Sequence, residues 1–487
     1  MKHSTKFNFL MNAILTASAF IFPLITYPYI SRVLGPDNIG KVSLATSVVY
    51  YFGMFAQLGI PTYGINACAR VRDNRRELTK TVQEIMIINL IMTAFVYAVF
   101  AVSLFAVPRL AAEKPLYIIT GATILFSTIG VEWLYKAVEQ YSYITTVSIL
   151  FKFISVAAMF AFVHNEGDYI IYGGITIIAA SGSGLLNFIR LRRFISLKPV
   201  GHYDLRQHLR AIWVFFAMSV ATTIYTNLDV VMLGFIKTDA DVGYYNTAVK
   251  VKNVLCALVT SLGTVLLPRM SCLAKEEKWN EFYGLAKKSI NFVLLLSLPL
   301  ALFFAVFANE SIRLLSGDAF LPAVLPMQVI SFTVVFIGLT NIMGIQVLVP
   351  LGREKQVLGS EVAGALVNLF FNATLIPLCA ATGAAIGTLL AEAMVFIYQY
   401  YVLRDVARPV FSKIAYWKIL LALLVGCALS VPIKLLSFRP FSGLLAAAAL
   451  FFGSYLAVLL IAKETLTREL IGQFIGKITA PFKRKRI

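Results

Sequence analysis

The chain has 487 residues, 59% of them hydrophobic and only 14% charged, with a mean hydropathy of +0.80. Soluble domains carry about 25% charged residues, so a water-soluble globule is excluded. The formal net charge of +19 would suggest nucleic acid in a soluble protein. Here the basic runs abut apolar spans without aromatic interleaving, so membrane topology explains the charge and no nucleic-acid partner is expected.

The apolar residues come in runs of about 20, the length that crosses ~30 Å of hydrocarbon as a helix. Fourteen spans are the most economical parse, at about 9–30, 42–63, 82–107, 116–135, 144–163, 169–189, 211–235, 243–267, 289–308, 322–349, 357–378, 383–403, 418–436 and 441–461. The fold class is therefore all-α, a polytopic membrane protein. The first span is too long for a signal-peptide core and should stay uncleaved. With the N-terminus in the cytoplasm, and with Lys418 and Lys434 at the ends of span 13 counted with the adjoining loops, inner segments hold 32 Lys and Arg and outer loops hold 8. That bias puts both termini inside. The basic runs at 70–76, at 190–193 and in the K-R-K-R tail (483–486) read as topology signals and contacts with anionic membrane lipids. Inner segments Ser271–Lys288 and Thr465–Gly476 read as short amphipathic surface helices.

Taken in order, the first join is the most informative. Y-I-S-R-V-L-G-P-D-N-I-G-K-V-S-L-A (29–45) returns about 200 residues later as Leu233-Gly234 followed by Gly243-Tyr244-Tyr245-Asn246-Thr247-Ala248. In each copy a Leu-Gly leaves an apolar run and a second Gly opens the next, with an Ala five residues on. The chain thus divides into an N-terminal lobe of six helices (1–193), a cytoplasmic linker (194–210), a second lobe of six (211–404), and two extra helices with a basic tail (405–487). A duplicated helical bundle is a transporter layout. Prolines 23, 28, 61, 268, 299 and 350 can bend helices or mark their ends.

Ionisable groups inside spans are the candidate functional residues, because hydrocarbon penalises them. Arg32 sits one turn past Pro28, where outer basic residues are scarce; simple anchoring competes with function. Glu132 and Glu361 lie near inner span ends, as interfacial anchors. Lys152, in I-L-F-K-F-I, has too few span residues on either side to lie anywhere but near the middle. An unpaired charge there costs at least ~3 kcal/mol, so it should face a wet cavity or a carboxylate, or be a neutral or ion-paired structural lysine. Asp229 lies inside the outer end of span 7 and Glu392 is mid-span in helix 12. Either could neutralise a lysine or bind a coupling ion. Lys250 and Lys252 lie early in span 8 on different helix faces, and snorkelling to the outer interface is the competing reading. Tyr50, Tyr51, Trp133, Tyr135 and Trp417 near span ends read as interface anchors, with sugar stacking by one of them as the competing reading.

No Walker A, H-E-x-x-H or G-x-S-x-G is present, and no loop is large enough for a catalytic domain. Five scattered cysteines and four histidines without ligand spacing give neither a disulfide frame nor a metal centre, and no cofactor is expected.

Three stretches carry a family resemblance: S-R-V-L-G-P-D-N-I-G-K-V-S-L-A (31–45), V-E-W-L-Y-K-A-V-E-Q-Y-S-Y-I (131–144), and N-L-D-V-V-M-L-G (227–234) with Gly243-Tyr244 after it. With these the chain resembles Wzx-type polysaccharide flippases of the multidrug/oligosaccharidyl-lipid/polysaccharide exporter superfamily, over about residues 5–460. The resemblance implies two pseudo-symmetric six-helix lobes around an alternately opening cavity in the bacterial cytoplasmic membrane. It also implies an undecaprenyl-diphosphate-linked oligosaccharide as cargo, with pathway glycosyltransferases and a polysaccharide polymerase as possible partners. Lys152, Lys250, Lys252 and Arg32 then become candidates for contact with the diphosphate, and spans 13 and 14 a groove for the prenyl tail. Two alternatives stand beside this reading. A drug/cation antiporter of the same superfamily would favour acidic rather than basic cavity groups. An integral-membrane polymerase or acyltransferase would usually show a large outer loop or His/Asp pairs.

Overall fold

The computed structural model describes residues 5–412, 414–436, 438–469 and 472. Among them only helices and their connections occur, as lipid requires of an open chain whose backbone must satisfy itself. All fourteen expected spans lie on helices. Among the described residues nine helices are long and apolar enough to cross a membrane, and two bent pairs raise the number to eleven. Two of the nine, Met11–Val71 and Glu354–Val402, run for 61 and 49 residues and each carries two of the expected spans.

The chain forms two compact units, Met1–Asn246 and Thr247–Ile487. The first is built from α1 (Thr5–Gln57), α2 (Ile60–Val71), α3 (Arg75–Ala106), α4 (Pro108–Ala111), α5 (Lys114–Gly130), α6 (Glu132–Ala137), α7 (Tyr141–Phe162), α8 (Tyr169–Ser181), α9 (Ser183–Arg190), α10 (Arg206–Ile236) and the start of α11 (Asp239–Lys275). Gly35, at φ +71° and ψ 173°, breaks α1. Only glycine takes that conformation cheaply, so the turn falls there and not at Pro23 or Pro28, which stay inside the helix. Pro61 instead opens α2, where its missing N–H costs nothing. Asn74 caps α3, its side chain accepting from the Arg76 and Glu77 amides at 3.1 and 3.4 Å.

The core of this unit gathers Val82 and Ile85 of α3, Trp133, Leu134 and Tyr135 of α6, and Ile212 of α10. Polar side chains pin the helices together inside it: Asn89 donates to the Ala56 carbonyl at 2.8 Å, and the Thr93 and Thr128 hydroxyls lie 2.9 Å apart. Phe95, Val102 and Phe105 of α3 point outward, as lipid-facing residues of a spanning helix do.

The second unit holds the rest of α11, α12 (Trp279–Val306), α13 (Ala308–Ser316), α14 (Val324–Ser331), α15 (Thr333–Thr340), a π-helical turn at Asn341–Leu348, α16 (Glu354–Val402), α17 (Arg404–Phe411), α18 (Tyr416–Ser430) and α19 (Pro440–Ile461). Its core runs through Val259, Phe282, Val293, Phe303 and Phe451. Ala380, at φ 46° and ψ −125°, breaks α16 between two expected spans.

Two expectations are corrected here. Ser271–Lys288 is no separate surface helix: α11 continues to Lys275, and α12 begins at Trp279 after a tight turn. Trp133 and Tyr135 are core residues, 5% and 0% exposed, and not interface anchors; the Tyr135 hydroxyl donates to the Asn187 carbonyl at 2.5 Å. Of the basic tail, Thr465–Glu469 is helical, whereas K-R-K-R lies outside the described residues.

Candidate functional site

The candidate groups fall into three sets in the first unit and one in the second. The repeated motif makes the first. A side chain at Gly40 would overlap the Asp239 carbonyl, and one at Gly243 would overlap the Pro36 carbonyl. Gly40 corresponds to Gly243, and Pro36 to Asp239, so the two copies pack reciprocally. Residues 43 and 246 correspond too, and the Asn246 amide donates to the Ser43 hydroxyl at 2.5 Å. Ion pairs hold the outer rim of this contact. Arg109 donates to the Gly234 carbonyl at 3.0 Å and to Asp239 at 2.6 Å. Lys41 pairs with Glu113 at 2.8 Å, and the Tyr169 hydroxyl donates to the same carboxylate at 2.7 Å.

Lys152 makes the second set. It lies in the middle of α7, half-buried, and its Nζ donates to the Ser18 hydroxyl of α1 at 2.6 Å. The carboxylate that acts on it through space is Glu132, which itself pairs with Lys136 at 2.8 Å. The cation is thus held by a neutral hydroxyl, with its counter-charge already engaged elsewhere. Asp229 is buried, accepts from the Tyr245 hydroxyl at 2.5 Å, and acts electrostatically on Tyr51. Arg32 is exposed and turns back onto the Pro28 carbonyl at 2.6 Å.

The third set was not legible in the sequence. Glu84 and His208 are 1% and 5% exposed, with His208 Nε2 lying 2.9 Å from the Glu84 carboxylate and Nδ1 2.6 Å from the Tyr63 hydroxyl. Glu84 also accepts from the Asp204 amide at 2.8 Å and the Gln207 side chain at 3.1 Å. This cluster fastens the 194–210 linker to α3. A histidine 124 residues from its carboxylate leaves no spacing signal, although a glutamate inside an apolar stretch was a cue.

In the second unit Lys250 and Lys252 are both half-buried on α11. Lys252 and the buried Glu392 both act electrostatically on Cys256, which places them in one neighbourhood. In the same unit α16 and the π-helical turn carry buried amides: Asn368, Asn372, Gln399 and Gln346. Gln399 donates to Ser360 at 3.1 Å and Gln346 to Asn341 at 3.2 Å. π-turns recur at functional sites, and intramembrane polar clusters mark substrate or ion paths.

A family model described as polysaccharide biosynthesis protein matches residues 6–274, more than half of the chain. The chain belongs to that family. It is similar to the "Putative O-antigen transporter" of Escherichia coli (strain K12), at 25% identity over 398 residues, covering 81% of this chain and 95% of that one. Its fold is similar to a lipid II flippase, MurJ, in an inward closed conformation, with a TM-score of 0.74 at 14% identity over 95% of this chain and all of that one. A multidrug resistance MATE family transporter in its inward-facing conformation gives a TM-score of 0.61 at 13% identity, over 82% of this chain and 99% of that one. This family member is thus a multi-pass helical membrane protein with a transporter fold.

Proposed function

We propose that this protein flips a lipid-linked oligosaccharide, carried on undecaprenyl diphosphate, from the inner to the outer leaflet of the bacterial cytoplasmic membrane. The observation that carries the proposal is the family match together with the Escherichia coli relative, which aligns along nearly its whole length. Lys152 supports it: a mid-span amine held by a hydroxyl, and not by a carboxylate, is placed to meet an anionic cargo. No covalent step is involved, both termini face the cytoplasm, and the cargo passes from glycosyltransferases to a polymerase. Lys152, Lys250, Lys252 and Arg32 contact the diphosphate in turn. Asp229 and Glu392 pair with these cations or carry a coupling ion. Residues 1–193 and 211–404 act as the two moving repeats, joined by 194–210, with 405–487 serving the prenyl tail. A headgroup of two negative charges moving out of a negative interior gains about 2.3 kcal/mol per charge per 100 mV, so ion coupling is not required by energetics.

The test is complementation of a strain lacking its own flippase. Restored surface glycan, with loss of accumulated inner-leaflet lipid-linked sugar, is the expected result; continued accumulation at normal membrane levels of the protein overturns the proposal. In the same strain Lys152→Ala should reduce export to background without lowering the amount of inserted protein. Normal export by that variant removes Lys152 from the site.

A further inference from the structure

The V-E-W-L-Y-K motif, whose Glu132 acts on Lys152, also builds a cavity of its own. Val131 separates α5 from α6 in the left-handed region, at φ 37° and ψ 40°. For a buried β-branched residue this is a true outlier, of the kind kept where structure over-determines it. The turn carries Glu132, Trp133 and Lys136 to a cavity of about 160 Å³ bounded by α5, α6, α8 and α9, with Gln57 of α1 and Pro61 of α2 also on its wall. At about 30 Å³ per water this is space for roughly five waters. It is smaller than the ~300 Å³ at which drug-sized sites begin, and suits one compact polar group.

The lining specifies what that group is. Asn187 is 1% exposed and its side-chain oxygen has no hydrogen-bond partner. A buried carbonyl left unmet costs about 1–3 kcal/mol, so the site calls for a hydrogen-bond donor. Ser127 and Ser181, their hydroxyls 3.4 Å apart, add groups that donate or accept. Glu132 and Lys136, partly exposed and paired at 2.8 Å, leave the cavity without net charge. A phosphate would meet the carboxylate and an organic cation would meet the ammonium. Trp133 supplies a flat apolar wall of the sort that stacks on the C–H face of a sugar ring.

We infer that this cavity receives one neutral, hydroxyl-rich sugar residue, the Asn187 side-chain oxygen accepting a hydrogen bond from one of its hydroxyls at the buried end. The inference rests on the glycan-flippase reading for the source of the sugar, and it makes this cavity a specificity site separate from the lysines that meet the diphosphate.

The test uses the full chain in detergent with Trp133 as its single tryptophan, the other three of the four replaced (Trp213→Phe, Trp279→Phe, Trp417→Phe). Its emission is titrated with the methyl glycosides of glucose, galactose, mannose and N-acetylglucosamine, and with inorganic phosphate and tetramethylammonium. A saturable change is expected with at least one glycoside. It should weaken at least tenfold in Asn187→Leu, and equally in Ser127→Leu, which fills the cavity without altering Asn187. No response to any glycoside means a cavity for water only and overturns the inference. So does a response to phosphate or tetramethylammonium in their place, or one unchanged in both variants. Full complementation by a chain without a glycoside response sinks this inference alone, whereas a glycoside response from a chain that fails to complement sinks the flippase reading alone.

Discussion

The two copies of the repeated motif share a packing geometry and differ in the side chains that surround it. The first turns within one residue, at Gly35 inside α1. The second breaks fully: α10 ends at Ile236, and Thr238 and Asp241 cap α11 reciprocally, with the Thr238 hydroxyl donating at 2.7 Å. Gly40 and Gly243 nevertheless each meet the backbone of the other copy at corresponding residues. The first copy is held by Lys41 on Glu113, the second by Arg109 on Asp239. Backbone approach is the symmetric part, charge the asymmetric part. A duplicated frame tolerates divergence in its side chains as long as the glycines that let the backbones meet are kept.

Four perturbations would break or sharpen this comparison. The largest effect is expected from Gly40→Ala and Gly243→Ala. Alanine gains about 1 kcal/mol of helix propensity, but the overlap with a backbone carbonyl should outweigh it and leave each variant about 2–3 kcal/mol less stable. Thermal unfolding in detergent reads this, with Gly453→Ala, which meets nothing within 4 Å, as the control that should not lose stability. Unequal losses at 40 and 243 would end the reciprocity. Next comes Tyr245→Phe, which strips Asp229 of a hydrogen bond where it is 4% exposed. A cost of about 1–3 kcal/mol is expected, and Asp229→Asn in the same background should recover part of it.

A smaller effect, about 1 kcal/mol or less, should follow Asp239→Asn, because that pair is partly exposed and screened. A loss as large as that of the glycine variants would move the main support from backbone approach to charge. The smallest effect concerns the first copy alone. Asn38 donates to the Glu166 carbonyl at 3.0 Å, in a turn where the amides of His164 and Asn165 hold the Asp168 carboxyl below its usual range. A depressed carboxylate contributes stability that is present above its unfolded pKa, about 3.9, and is lost as pH falls through the folded value. The melting difference between the wild type and Asp168→Asn should therefore exist at pH 7 and close below about pH 4. A difference that persists in acid would show that the carboxylate charge is not what holds the turn.

Lys152 and Trp133 show how far reading the chain alone reaches. Lys152 was legible because the apolar run on either side is too short to span, which forces it to mid-membrane. Its partner Ser18 lies 134 residues away and carries no local mark. Trp133 was misread because an aromatic residue near a span end fits a lipid interface and a helix-packing core equally well. Only the packing of α6 into the core decides between them. His208 was passed over because isolated histidines suggest nothing until Glu84 and Tyr63 are brought beside it.

The sequence by itself determined the spans and the kinship of the two motif copies. The physical reason is that membrane insertion depends on transfer energies summed over some twenty consecutive residues, a local quantity. Tertiary structure alone decided what each buried polar group meets: Ser18 at Lys152, Tyr245 at Asp229, the open end of Asn187 in its cavity. Those choices rest on single contacts within about 3 Å, mostly between segments far apart in the chain. No local window contains them.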